Sequence, residues 1–163
     1  MSSSLHDVDV RTTRHAQCAL TLLRIALGCL FISVFFENLG KGLYSPTGYA
    51  GLINYYIAKG HAPQLLKSIM GLMASHATIA GPMQGFTEIT FGVLLVLGVL
   101  TRPVALAAFF FLTTLWIAEM GTAWIWELLM PMFVALALVI GAAGRKWGVD
   151  AIFARRHPRA ILW

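Results

Sequence analysis

Two apolar windows, separated by three residues, determine the predicted fold of this chain: Pro82–Leu100 (PMQGFTEITFGVLLVLGVL) and Val104–Glu119 (VALAAFFFLTTLWIAE). A transmembrane helix needs about 20 predominantly apolar residues, and both windows approach that length. Between them, Thr101, Arg102 and Pro103 supply a capping hydroxyl, a charge and a proline suited to the first turn of a helix. The pattern predicts two membrane-spanning helices joined by a tight turn.

Two further windows extend this pattern on both sides: Cys18–Phe36 and Trp124–Ala143. Gly121 and Thr122 separate the last window from the one before it. Hydrophobic residues make up 58% of the 163-residue chain and charged residues only 12%, about half the charge of a typical soluble domain. This composition argues against a soluble enzyme, a disordered chain and a nucleic-acid-binding domain. We predict a single all-α membrane domain over residues 1–163, built as a four-helix transmembrane bundle.

Basic residues predict the orientation of the four spans. With an even number of spans, both termini and the turn at Arg102 lie on one side of the membrane. That side would hold eight basic residues: Arg11, Arg14, Arg102, Arg145, Lys146, Arg155, Arg156 and Arg159. The opposite side would hold three: Lys41, Lys59 and Lys67. Cytoplasmic loops carry the excess of Lys and Arg in membrane proteins, so we predict cytoplasmic termini and attribute the net charge of +5 to topology.

The insert between the first two spans, residues 37–81, is too long for a plain turn and too polar for two more spans. Ser45 and Pro46 predict the start of a short helix that Gly60 ends. Pro63 then opens a second helix with its apolar residues on one face: Leu65, Leu66, Ile69, Met70 and Met73. The pattern predicts an amphipathic helical hairpin in the membrane interface or over the outer mouth of the bundle. Residues 144–163 are predicted to form a basic cytoplasmic tail.

Two ionisable residues, Arg24 and Glu88, lie inside predicted spans, where such groups are costly and therefore candidate functional residues. Glu88 shares a helical face with Gly81, Gly85 and Gly92, and small residues of this kind occur at close helix interfaces. We therefore expect both side chains to face the bundle interior. Residue counting places them about 11 Å apart in depth, so they could interact only through a bridging group or water. The structural alternatives are that Arg24 extends to the lipid headgroups and that Glu88 holds two helices together.

Further candidate residues gather near the outer ends of the spans: Glu37, Asn38, Lys41, Trp116, Glu119 and Glu127. A flat aromatic ligand with exchangeable protons, such as a quinone head group, requires ring stacking, hydrogen-bond donors and a proton acceptor. For the tryptophans alone, an interfacial aromatic belt is an alternative explanation. No histidine lies inside a predicted span and no haem- or nucleotide-binding motif occurs, so we predict neither a metal nor a haem cofactor.

Three motifs follow one another along the chain: LRIALG at 23–28 leading to ENLGK at 37–41, TEITFGVLLVLG at 87–98, and GRKWGVD at 144–150. In these motifs and their order, over about residues 20–155, the chain resembles the DoxX/DoxD family of small four-helix membrane proteins. The last motif is similar to the family's closing Gly-Arg-x-x-Gly-x-Asp. The insert between the first two spans resembles that of the DoxD branch, which includes the small subunit of thiosulfate:quinone oxidoreductase.

This resemblance implies a quinone-linked subunit of the bacterial inner membrane that contacts lipid and works with a second polypeptide. It indicates Arg24, Lys41 and Glu88 as functional positions. Our first hypothesis is a subunit that passes electrons from thiosulfate or a related small sulfur compound to quinone. In it, Glu88 is the catalytic group that handles protons, helped by Glu37, Glu119 or Glu127. Arg24 and Lys41 attract the anion or orient the quinone oxygen.

The second hypothesis is a non-catalytic accessory subunit packed against a larger membrane complex. In that case Arg24 and Glu88 are structural, and their loss would change assembly instead of chemistry. A small carrier or channel is a third alternative, which four short spans without inverted repeats do not favour.

Overall fold

The computed structural model describes residues 2–141 and 143–157, with side chains from His15 onward except that of Arg145. Its elements follow in this order: α1 (Ser2–Gly40), α2 (Pro46–Lys59), α3 (Gln64–Ser75), α4 (Ala77–Leu97), α5 (Thr101–Ala118), α6 (Ile125–Gly141), a short 3-10 helix (Ala143–Arg145) and α7 (Asp150–Arg156). No strand occurs in the described ranges, so the predicted all-α class is confirmed. The side chains of Arg11 and Arg14 and the end of the predicted basic tail, with Arg159, lie outside the described residues.

Three helices are long and apolar enough to cross a membrane: the His15–Gly40 part of α1, α4 and α5. They correspond to the first three predicted windows, and the chain is therefore a multi-pass membrane protein. α6 corresponds to the fourth window and is apolar, but with 17 residues it is shorter than the other three. The fourth span and the cytoplasmic location of the termini stay predictions.

The ends of α4 differ from the predicted window. α4 ends at Leu97 because Gly98 adopts the left-handed backbone conformation, with φ 66°, and closes the helix. Leu100 lies in the same region, with φ 48°, so the chain reverses within a few residues and α5 begins at Thr101. At its other end α4 extends beyond Pro82, the predicted first residue, which lies inside the helix.

Two facing glycines let α1 and α4 approach each other closely. α1 packs mainly against α4, α5 packs mainly against α6, and contacts between α1 and α6 join the two pairs. A Cβ on Gly28 of α1 would lie 2.9 Å from the carbonyl oxygen of Gly92 of α4, and a Cβ on Gly92 would lie 3.0 Å from that of Gly28. A side chain at either position would collide with backbone, so this approach requires both glycines. The apolar core beside the crossing draws residues from all four helices: Leu27, Phe31, Leu95, Ala105, Ala108, Leu112, Ala135 and Leu138.

α2 and α3 form the predicted helical hairpin, which covers one end of the bundle. We call this the hairpin end, and we call the opposite end, where α4 turns into α5, the turn end. Ser45 caps α2 by accepting a hydrogen bond from the Gly48 N–H at 3.1 Å. Lys67 of α3 donates to the carbonyls of Ile57 (2.9 Å) and Gly60 (2.8 Å), which would otherwise lack partners at the end of α2. Most of the large apolar side chains of α3 are exposed, as expected for a helix in a membrane interface.

Candidate functional site

Glu88 of α4 is the centre of a buried polar cluster within an apolar span. Its side chain is 2% exposed. The Tyr44 hydroxyl donates to Oε2, Asn38 Nδ2 donates to the same oxygen at 3.4 Å, and Gln84 Nε2 donates to Oε1 at 2.9 Å. We call these four residues the Glu88 cluster. An isolated carboxylate would be very costly at this position, and the three donors supply the hydrogen bonds that reduce that cost.

The glycine face of α4 makes room for Tyr44, which follows α1. A Cβ on Gly85 would lie 3.1 Å from the Tyr44 ring, and a Cβ on Gly81 would lie 2.7 Å from the Tyr44 carbonyl oxygen. The ring also stacks on Phe35 of α1, with centroids 5.5 Å apart. Burial and the hydrogen bond to Glu88 raise the pKa of Tyr44 above its usual value, so the phenol keeps its proton and remains a donor.

A second carboxylate, Glu119, lies at the hairpin end, immediately after α5. The Tyr56 hydroxyl of α2 donates to its Oε1 at 3.2 Å. The pKa of Glu119 is raised from 4.5 to about 7, chiefly by burial; the charges of Glu127 and Glu88 also raise it, and the hydrogen bond from Tyr56 lowers it. Glu119 can therefore gain and lose a proton near neutral pH, the property required of a general acid or base.

Glu119 also borders a cleft between the end of α5 and the start of α6. The cleft has a volume of about 290 Å³, and Trp116, Trp124 and Leu128 contribute to its walls. Trp124 is 78% exposed. Glu127, in the first turn of α6, is exposed. The structure thus brings together Trp116, Glu119 and Glu127 at the hairpin end.

A larger groove of about 660 Å³ runs along α4 between α3 and α5. Its walls are apolar, with Ile79 and Met83 of α4 exposed along it. Gln84 and Thr87 are among its few polar residues. Because Gln84 also donates to Glu88, the groove and the Glu88 cluster share one side chain. An apolar groove beside a few convergent polar groups is typical of a small-molecule site.

Glu37 and Lys41 do not belong to the Glu88 cluster. They form an ion pair with each other across one turn at the end of α1, with Nζ and Oε1 2.6 Å apart. Both side chains are more than half exposed. Of the residues of the ENLGK motif, Asn38 is the one that reaches Glu88.

Arg24 lies at the turn end and does not pair with Glu88. Its side chain is fully buried. Nη2 donates to the carbonyl of Trp147 at 2.8 Å, and Nη1 donates to that of Ala143 at 3.5 Å. Arg24 therefore reaches neither the lipid headgroups nor the hairpin end, and it fastens the chain after α6 to α1.

Asp150, from the GRKWGVD motif, completes this attachment. It is buried, and its two carboxylate oxygens accept hydrogen bonds from the N–H groups of Leu100 and Thr101, both at 2.7 Å. These N–H groups begin α5, where a negative charge is favoured by the helix dipole. We call Arg24, Asp150 and the backbone groups that they bind the turn clasp.

Sequence reasoning identified Glu88 and Asn38 but missed Tyr44, Tyr56 and Gln84. Gln84 had a recognisable signal, since it precedes Glu88 by one helical turn and residues four apart on a helix are neighbours. The two tyrosines had none, because each reaches its carboxylate from a different element of the fold.

A family model for DoxX matches residues 19–121, which include three membrane spans and the hairpin. The match covers more than half of the chain, and the chain therefore belongs to the DoxX family. It contains the Glu88 cluster and Glu119, while Glu127 and Asp150 lie beyond it. No curated protein and no solved structure matches the chain significantly.

Proposed function

We propose that this DoxX protein is the quinone-binding membrane subunit of an oxidoreductase that passes electrons from thiosulfate or a related small sulfur compound to quinone. The observation that supports this most directly is the position of the Glu88 cluster beside the long groove on α4. The groove offers apolar walls for a lipid-soluble molecule, and the cluster offers hydrogen-bond donors and a carboxylate next to it.

Quinone reduction adds electrons and protons to two ring oxygens. The amide of Gln84 lines the groove and can turn from Glu88 to a ring oxygen, while Glu88 supplies or accepts the proton. The apolar tail of a quinone suits the wall formed by Ile79 and Met83. A second subunit would oxidise the sulfur compound and deliver its electrons.

The proposal places the chain in the bacterial cytoplasmic membrane with four spans and both termini inside. The distribution of basic residues supports this orientation. The hairpin end, with Glu119 and Glu127, would then face the outer side. By sequence resemblance, the branch of the family that includes a thiosulfate:quinone oxidoreductase subunit offers a functional parallel.

Glu88→Gln tests this function. The amide keeps the size of the side chain but cannot deliver a proton, so quinone reduction by native membranes supplied with thiosulfate should fall by about 10²-fold or more. Labelling by a photoreactive quinone should be reduced in the same membranes. Glu37→Gln is the matched control, because it removes an exposed carboxylate of the same kind, and both activities should stay unchanged.

An accessory subunit without catalytic function is the second candidate. It is favoured by the fact that both oxygens of Glu88 already bind donors of this chain. In that case Glu88→Gln would leave quinone reduction and labelling intact, and the amount of the assembled membrane complex would fall. That result would reject the quinone site.

A further inference from the structure

Tyr49, in the first half of α2, has a buried hydroxyl that the mechanism above does not use. The residue is 2% exposed, and its hydroxyl has no hydrogen-bond partner among the described residues. Buried hydroxyls in folded proteins nearly always have a partner, either a protein group or an ordered water. The helix is held close to α4 here, since a Cβ on Gly81 would lie 3.2 Å from the Tyr49 Cβ.

Tyr49 lies on the face of α2 that also carries Tyr56, the hydrogen-bond partner of Glu119. Burial and the charge of Glu88 raise the pKa of Tyr49, so its phenol lies within the electrostatic reach of Glu88 and keeps its proton. Tyr56, two turns further along the same face at about 1.5 Å per residue, donates to Glu119. α2 thus packs through Tyr49 on the glycine face of α4 that also carries Glu88, and it binds Glu119 through Tyr56.

We propose that water molecules held by the Tyr49 hydroxyl carry protons between Glu88 and Glu119, and that Glu119 exchanges them with the outer surface. This inference rests on the proposed role of Glu88 in handling protons. Tyr49 is a positioning residue in this path, whereas Glu119 is a member of the path itself. The unpartnered Tyr49 hydroxyl supplies the polar group that holds the first of these waters.

The proposed step balances without any further reactant. The Glu88 carboxyl gives its proton to the nearest water, each water passes one proton to the next, and the last water gives a proton to the Glu119 carboxylate. The waters are regenerated, Glu88 becomes a carboxylate and Glu119 becomes a carboxylic acid. Glu119 then loses its proton through the cleft lined by Trp116 and Trp124.

The groups around Glu119 suit this exchange. Tyr56 of α2, Glu88 of α4 and Glu127 of α6 act on it, and the two carboxylates raise its pKa towards neutrality. The ring of His61, which follows α2, packs on Gly121, two residues after Glu119 in the chain. Lys67 of α3 binds the carbonyls that end α2. The groups that act on the Glu119 carboxyl are therefore one phenol and two carboxylates.

Time-resolved infrared spectroscopy of the purified full-length protein in lipid, without quinone, tests the path. After a rapid fall in pH, the carbonyl-stretch band that is missing in Glu88→Gln reports protonation of Glu88. Glu119→Gln should slow the rise of this band by about 10²-fold, because a proton carrier is lost, and should leave its final amplitude unchanged. Tyr49→Phe, which removes only the hydroxyl, should also slow it.

Two matched variants serve as controls. Glu37→Gln and Tyr55→Phe remove an exposed carboxylate and an exposed tyrosine hydroxyl at the same end, and both should keep the wild-type rate. Equal rates in wild type, Glu119→Gln and Tyr49→Phe would overturn the proposal, as would a wild-type band that does not respond to pH. Because quinone is absent from this experiment, its outcome is separate from the quinone-reduction test.

Discussion

The turn clasp and the Glu88 cluster both bury an ionisable side chain in the bundle, but the hydrogen-bond partners of that side chain differ between the two. Arg24 and Asp150 bind backbone carbonyls and N–H groups, whose positions are set by the helices. Glu88 binds a hydroxyl and two amides, all of which belong to side chains. A charge bound to backbone stabilises one structure, whereas a charge bound to side chains can exchange its partners for a ligand.

The largest expected effect is the loss of the turn clasp. Arg24→Met keeps the bulk of the side chain but leaves the carbonyls of Ala143 and Trp147 and the carboxylate of Asp150 without their buried cation. We expect a loss of about 3–5 kcal/mol in the free energy of unfolding, measured by denaturant titration in detergent micelles.

Lys41→Met is the matched control for this variant, because Lys41 is an exposed cation of α1. If Arg24→Met is as stable as Lys41→Met, the turn clasp does not hold the fold together, and the contrast with the Glu88 cluster fails. In that case Arg24 would have to be considered again as a functional residue.

The next effect concerns pH. Glu119 has a pKa of about 7 in the folded chain and an ordinary value of 4.5, so the folded state binds the proton more tightly. Its contribution to stability is complete below about pH 4.5 and is lost as the pH rises through 7. We expect the free energy of unfolding to fall by up to about 3 kcal/mol across this range.

Glu119→Gln should flatten this dependence, since the amide does not titrate. The measurement is the unfolding midpoint at several pH values for the variant and the wild type. If both proteins lose stability in parallel between pH 4.5 and 7, Glu119 is not the group responsible.

The smallest effect is expected at the exposed ion pair of the hairpin end. Glu37→Gln breaks the pair with Lys41, which solvent screens on both sides, and should cost about 0.2–1 kcal/mol in unfolding free energy. The midpoint of thermal unfolding should hardly change. A loss of unfolding free energy as large as that of Arg24→Met would contradict this expectation, and Glu37→Gln could then not serve as a control.

Much of the fold follows from local patterns in the chain. Apolar windows predict the spans, and Ser45, Gly60 and Pro63 mark helix ends close to where the structure has them. Glu88 could be assigned to the interior because glycines recur on its helical face. The partners of Arg24 could not be predicted, since backbone carbonyls more than a hundred residues away carry no identifying side chain.

The sequence by itself determined that the chain is helical, lies in a membrane and belongs to the DoxX family, because each of these depends on composition, periodicity or local motifs. It also singled out Arg24 and Glu88, because a charge inside an apolar window is costly wherever it lies. Only the tertiary structure decided what each charge does. The turn after α1 brings Tyr44 to Glu88, and the return of the chain after α6 covers Arg24. Such contacts depend on how separate helices meet, and no local pattern encodes that.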